Sequence, residues 1–174
     1  CKSVFLSWDL AQITDFSCYG TMRDEATKGG VRPAPLTPEA FSTLIETQKF
    51  TNGTVDRPMV VNLYRKHFAF HFGRVKKLFY WSLGWGDEQA AAFAAVIASG
   101  VLEKVEEIRL GDNEISDVGA IAIADAIRAS APPELKELSL HSNRIDRAGW
   151  EALKRLAAET TCRVSPDDLL DSQK

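Results

Sequence analysis

The chain has 174 residues, 45% of them hydrophobic and 26% charged, which suits one soluble globular unit or two small ones. Its net charge of −3 excludes a domain that is basic throughout. No window holds the roughly eighteen apolar residues of a membrane-spanning helix; the longest candidate, Ala90 to Leu102, is interrupted by Ser99 and Gly100.

The first 36 residues hold one plausible short strand, Ser3-Val4-Phe5-Leu6-Ser7-Trp8, followed by a turn-rich stretch with Gly20, Gly29, Gly30, Pro33 and Pro35. There is no secretory signal pattern. The chain starts at Cys1 rather than Met, so the expectation is a processed product or a fragment of something longer. Cys1, Cys18 and Cys162 are odd in number and widely spaced. That pattern argues against a disulfide framework, for reduced thiols, and for an intracellular or organellar compartment over a secreted one.

Thr37-Pro38-Glu39 reads as N-cap, first-turn proline and first-turn acid. Phe41, Leu44 and Ile45 then supply the buried stripe of a helix ending near Lys49. Asn52-Gly53 marks a turn, and Asn52-Gly53-Thr54 is a glycosylation sequon best explained by chance unless the protein is secreted. Pro58 is expected to open a second helix that runs to about Phe72 and stops at Gly73, with Met59, Val60, Leu63 and Phe68 on its inner side.

Beyond Gly73 the pattern changes. Val75, Val105 and Leu135 each open a run of apolar–x–x–apolar–x–apolar, thirty residues apart. A fixed period of this kind points to repeats that bury their apolar faces against neighbours. Within each run, alternation turns Leu78 and Tyr80, Ile108 and Leu110, and Leu138 and Leu140 to one side of a strand. Ser116 and Asp146 are good N-caps, Ile123 and Ile127 share a helical stripe, and Gly100 is a natural helix stop. Cys162-Arg163-Val164 reads as a truncated fourth strand before an acidic tail from Asp167.

The continuations Gly111-Asp112-Asn113-Glu114-Ile115 and His141-Ser142-Asn143-Arg144-Ile145, each followed four residues later by Gly119 or Gly149, resemble leucine-rich repeats of the ribonuclease-inhibitor-like type. The resemblance covers about residues 75–164. The first repeat departs from it, with Leu83 at the Asn position, Trp85 at the Ile position and Gln89 at the Gly position. In that family the Asn amide turns inward to satisfy backbone groups of the turn, a role Leu83 cannot fill. The resemblance implies an α/β leucine-rich-repeat solenoid, with parallel strands on the concave side and helices on the convex side. It divides the chain into an irregular segment (1–36), a two-helix N-terminal cap (37–74), three repeats (75–164) and an acidic C-terminal tail (165–174). A single repeat buries too little apolar area to offset its ordering entropy, so caps and neighbours are required.

Chemical motifs are weak. His67 and His71 are four apart on a predicted helix, but no acid lies between them and no third metal ligand is apparent. Gly84-Trp85-Gly86 lacks the third glycine and the lysine of a phosphate loop. No Gly-x-Ser-x-Gly elbow is present, and Glu106 with Glu107 makes a poor acid/base couple because neighbours on a strand face opposite ways. The expectation is a non-enzyme with no metal and no cofactor.

Two surfaces remain as candidates. On the strand face opposite the core, alternation lines up Lys77, Phe79 and Trp81 with Glu107, Arg109 and Gly111, and with Glu137, Ser139 and His141. Phe79, Trp81, Arg109 and His141, with Glu107 and Glu137, form the predicted protein-binding set, since aromatic residues and Arg dominate interface hot spots; the equal alternative is that the N-terminal segment covers Phe79 and Trp81 in the end repeat. The second surface is charge. Residues 57–77 carry six basic residues and no acid, whereas residues 78–174 carry ten basic and seventeen acidic ones. Arg65, Lys66, Arg74, Lys76 and Lys77 form the predicted basic patch, which could draw nucleic acid, an anionic membrane surface or an acidic protein, or simply solvate a helix face and pair with Asp and Glu elsewhere. The sequence therefore favours a non-catalytic protein-interaction module acting through its concave sheet or cap. A small accessory subunit of a large, organellar or membrane-associated assembly is the second reading, and electrostatic binding through residues 57–77 is the third. The protein partner itself is not named by the sequence.

Overall fold

A computed structural model describes residues 33–50 and 52–165. The predicted strand at 3–8, Cys1, Cys18 and the acidic tail lie outside the described residues. Nine elements follow in order: α1 (Pro38–Glu46), α2 (Gly53–Phe72), β1 (Lys77–Phe79), α3 (Asp87–Ala98), β2 (Glu107–Arg109), α4 (Asp117–Ser130), β3 (Glu137–Ser139), α5 (Arg147–Glu159) and β4 (Arg163–Ser165). The four strands make one parallel sheet in sequence order. Its register pairs Leu78 with Ile108, Ile108 with Leu138, and Leu138 with Val164. The thirty-residue period thus sets strand register directly, and the predicted fourth strand is present. Together these elements form an α/β repeat fold.

The core lies between the sheet and the helices. Leu78, Tyr80, Ile108, Leu110, Leu138 and Leu140 from the strands meet Phe93, Ile97, Ile123, Ile127, Leu153 and Leu156 from α3, α4 and α5. Strand hydrogen bonding extends past the short strands: Tyr80 N donates to Arg109 O at 2.8 Å, and Ser82 N to Gly111 O at 3.0 Å. Leu110 N and Asp112 N repeat this on Ser139 O and His141 O one repeat later. Each chain turn then passes through one left-handed residue, Ser82, Asp112 or Ser142, with φ of 55°, 52° and 53°.

Two side-chain ladders join the repeats, and each has an end. Asn113 Oδ1 accepts from the backbone N–H groups of Leu83 and Trp85, both at 3.0 Å, in the repeat before it. Its Nδ2 donates to the carbonyls of Tyr80, Leu110 and Gly111. Asn143 does the same for Ile115 N and the carbonyls of Leu110, Leu140 and His141. The Asn of one repeat therefore serves the turn of the repeat upstream, not only its own. Position 83 has a helix rather than a repeat upstream, so an amide there has no such turn to serve. Leu83 is instead 3% exposed, in one apolar cluster with Phe68 and Phe72 of α2.

The second ladder runs through the helix starts. Asp87 Oδ1 accepts from Ser116 N (2.8 Å) and Gly119 N (3.0 Å), so the first residue of α3 caps α4. Asp117 Oδ1 likewise accepts from Asp146 N (2.8 Å) and Gly149 N (2.9 Å), so α4 caps α5. Asp146 was expected to cap α5 with its own side chain, but makes no such bond; the carboxylate comes from the neighbouring helix. At the ends the pattern changes in keeping with this. Among the described residues no aspartate caps α3, and Gln89 Oε1 accepts from Gly86 N at 3.0 Å instead. The third position of the Asp series is Arg147, and the series Ala90, Ala120 ends in Trp150, which is 9% exposed.

The two N-terminal helices correct three expectations. Thr37 caps α1 through Ala40 N as predicted, and Phe41 and Ile45 are buried, but Leu44 is 42% exposed. α2 starts at Gly53, not at Pro58, which lies inside it. The earlier start is held by Asn52, whose carbonyl accepts from Asp56 N at 2.8 Å while its own N–H donates to Asp56 Oδ2 at 3.2 Å. The inner face of α2 is also different from the expected one. Phe68 and Phe72 are buried, and Tyr64 donates its hydroxyl to Leu36 O at 2.7 Å and stacks on Phe41 at 3.8 Å. Met59 and Leu63 face outward.

Candidate interaction surfaces

The predicted strand-face site is largely closed. Lys77, Glu107 and Glu137 occupy one register row, and Phe79, Arg109 and Ser139 the next. Phe79 is only 5% exposed although it lies outside the main core cluster, so it is not the accessible anchor that alternation suggested. Alternation fixes which face a side chain points to, not whether that face is open. Arg109 lays its guanidinium 5.3 Å from the Phe79 ring centroid and hydrogen-bonds Glu107. Glu107 is itself buried and also pairs with Lys77 at 2.8 Å. Its burial would raise its pKa, but the hydrogen bonds from Lys77 and Arg109 outweigh burial and hold the carboxyl below its ordinary value. Glu137 is half-buried and takes Arg163 at 3.0 Å. Trp81, Arg109 and His141 remain half-buried, and the His141 ring lies against Gly111, filling the space where a Cβ would stand. What survives of the predicted set as partly accessible is thus Trp81, Arg109, Glu137 and His141.

The predicted basic patch is also divided. Lys76 pairs with Glu106 at 3.0 Å and Lys77 with Glu107 at 2.8 Å. Glu106 also takes Lys136 at 2.6 Å, making a Lys–Glu–Lys row across three repeats. Hydrogen bonds from Lys136 and Lys76 lower its pKa to about 2. Lys104–Glu134 at 2.7 Å and Arg144–Glu114 at 3.4 Å are further pairs spaced one repeat apart. Exposed pairs of this kind contribute little stability each, but they remove Lys76 and Lys77 as free cations. Arg65, Lys66 and Arg74 stay exposed without an acidic partner among the described residues. Arg74 sits over the Phe70 ring at 4.9 Å.

The sequence reading missed a third surface, on α2. Val55, Met59, Leu63 and Phe70 are 53%, 63%, 48% and 57% exposed, four of the six large exposed hydrophobics among the described residues. At about 100° per residue the four fall within an arc of roughly 80°, opposite Tyr64, Phe68 and Phe72. α2 is therefore apolar on two faces, and only one of them is packed. The signal was available: a helix with apolar residues on all sides is either buried all round or has a second partner.

Chemical groups elsewhere do not converge. The His67 and His71 rings stack at 5.9 Å between centroids, and no group of three or more His, Cys, Asp or Glu able to hold a metal ion occurs among the described residues. Cys162 is buried, and burial and then Glu137 push its thiol up to about 11, away from reactivity. No described helix is long and apolar enough to cross a membrane.

No curated protein matches the chain. The family model described as Leucine Rich repeat matches residues 101–124, which run from the end of α3 through β2 and the Asn113 turn into α4. Leucine-rich repeats serve in general as protein-interaction modules and are typically non-enzymatic. The chain thus carries the leucine-rich repeat signature in the repeat whose Asn and Asp ladders are complete on both sides.

Proposed function

We propose that this chain is a non-catalytic protein-interaction module, a short leucine-rich-repeat solenoid of the ribonuclease-inhibitor-like type. In this reading α1 and α2 form both its N-terminal cap and its main docking face. The observation that carries the reading is the exposed stripe Val55, Met59, Leu63 and Phe70. Exposed apolar side chains gathered on one helix face mark interaction sites more than singly scattered ones do. A permanent place in a larger assembly fits the same stripe, since obligate interfaces are the more apolar ones.

A second reading keeps the strand face as the docking site, through Trp81, Arg109 and His141. It is favoured by Arg109, which Glu107 and Phe79 hold in one geometry, so that little side-chain freedom is lost on binding. Binding of nucleic acid or anionic lipid ranks third, because the ion pairs to Glu106 and Glu107 take Lys76 and Lys77 out of the basic patch.

Co-purification from native extract at low salt, compared across variants, tests these readings. Met59→Asp with Leu63→Asp is expected to lose the proteins that the wild type retains, whereas Trp81→Ala with Arg109→Ala keeps them. The opposite pattern moves the docking site to the strand face. Loss only on neutralising Arg65, Lys66 and Arg74, together with loss at high salt, favours the electrostatic reading.

A further inference from the structure

We propose that the outer face of α2 receives an amphipathic helix of a protein partner whose apolar ridge is flanked by Asp or Glu, an inference that rests on the docking role given to α2 above. Two adjacent ridges run along this face at four-residue spacing. One is Val55, Met59, Leu63, His67 and His71; the other contains Lys66 and Phe70, with Arg74 just past the helix end. Ridges of this spacing, with a groove between them, are the features by which helices interlock. From Val55 to Phe70 is sixteen residues, roughly 22 Å along the axis, which is long enough to seat four turns of a second helix.

Charge selects the partner's flanks. No acid occurs from Arg57 to Lys77; Asp56, at the N-terminal end of the stripe, accepts from Asn52 N at 3.2 Å, so the uncompensated charge lies toward Phe70. Lys76 and Lys77 are committed to Glu106 and Glu107, and Arg57 turns toward Phe50 and the Gln48 carbonyl. Lys66 falls within the arc of the stripe and Arg74 is held beside it by the Phe70 ring at 4.9 Å, whereas Arg65 falls nearer the packed face. An incoming helix with Lys or Arg flanks would set like charges together; one with Asp or Glu flanks would pair them as its apolar ridge is buried.

A protein helix fits better than a bilayer. The open stripe is narrow, because the opposite face of α2 is packed against the rest of the molecule through Phe68 and Phe72. A helix lying in a membrane interface needs a broad apolar face. Residues 78–174 carry seventeen acids against ten bases, so an anionic surface would repel most of the molecule.

The full chain can be titrated, by fluorescence anisotropy, against two designed helical peptides of about twenty residues that share one leucine ridge and differ only in flanks, Glu or Lys. Phosphatidylcholine vesicles with and without phosphatidylserine form the third probe. The Glu-flanked peptide is expected to bind at least about ten-fold tighter at low salt, with the gap closing at high salt. Leu63→Asp is expected to abolish binding of both peptides. Replacing Lys66 and Arg74 by Gln is expected to erase the preference while both peptides still bind. If the wild type binds both equally and Leu63→Asp loses both, the docking face stands and the acidic partner is overturned. If Leu63→Asp changes nothing, the face falls with it. Tighter binding to phosphatidylserine vesicles than to the Glu-flanked peptide overturns the helix in favour of lipid.

Discussion

The Asp87 carboxylate and the Gly119 backbone are fitted to each other: Oδ1 accepts the Gly119 N–H at 3.0 Å, and a Cβ at position 119 would lie 2.6 Å from that same oxygen. The added carbon would also stand 2.7 Å from Ile115 Cγ2 and 2.8 Å from Ala90 Cβ. Glycine at 119 is there for close approach between α3 and α4, and its φ is not in the left-handed region. Gly149 meets Asp117 in the same way one repeat later.

Gly119→Ala is therefore expected to destabilise by about 2–4 kcal/mol, through overpacking and a displaced buried hydrogen bond. Gly100→Ala is the contrast. Nothing lies within 4 Å of a Cβ there, and only its φ of +74° opposes the change, a cost of about 1–2 kcal/mol. Urea midpoints of the two variants measure the difference, and equal losses would show that the helix contact is looser than the Asp ladder implies.

Asn113→Ala is expected to cost about 3 kcal/mol or more, because it strips hydrogen bonds from Leu83 N, Trp85 N and the carbonyls of Tyr80, Leu110 and Gly111. Leu83→Asn is expected to destabilise as well, since it places an amide in the cluster with Phe68 and Phe72 and offers it no upstream turn. A rise in denaturant midpoint for Leu83→Asn would refute the account of why the Asn series begins at 113.

Acid should loosen the repeat contacts. Burial works to raise the pKa of Asp87, but the Ser116 hydroxyl and the Ser116 and Gly119 N–H groups outweigh it and lower the value. Glu106 is lowered to about 2 by Lys136 and Lys76. A carboxyl whose folded pKa lies below its unfolded one contributes stability that is fully present above the unfolded value, near 4, and is lost as pH falls through the folded value. Stability is thus expected to hold from pH 7 to about 5 and to decline between about 4 and 2. In Asp87→Asn, thermal melts across this range should show a lower plateau and a shallower acid slope.

The two faces of α2 should respond oppositely to substitution. Phe68→Ala is expected to cost about 3–5 kcal/mol by opening a cavity. Met59→Asp and Leu63→Asp should each stay within about 0.5 kcal/mol of the wild type, as exposed positions do. Circular-dichroism melts on these variants check both, and a large loss in Leu63→Asp would mean that its face is packed.

The sequence by itself determined the repeat. The thirty-residue spacing of Val75, Val105 and Leu135 foretold strand register, the alternation at Ile108 and Leu110 foretold the core side, and Asn113 announced a buried amide. These are local regularities, and a period in sequence becomes a period in space when each unit stacks on the next. The sequence also flagged Leu83, Trp85 and Gln89 as departures; Leu83 pointed to a first turn packed on something apolar before it, which the cluster with Phe68 and Phe72 supplies, while Trp85 and Gln89 carried no such reason.

Only the tertiary structure decided what each position serves. It showed that Asn113 and Asp87 act across repeats, in opposite directions along the chain, so that Leu83, Gln89 and Arg147 mark ends where a neighbour of the same kind is missing. It buried Phe79 and turned Met59 and Leu63 outward, reversing the expected candidates. Alternation and helical spacing assign residues to faces, but whether a face is covered depends on segments distant in sequence, and no local pattern encodes that.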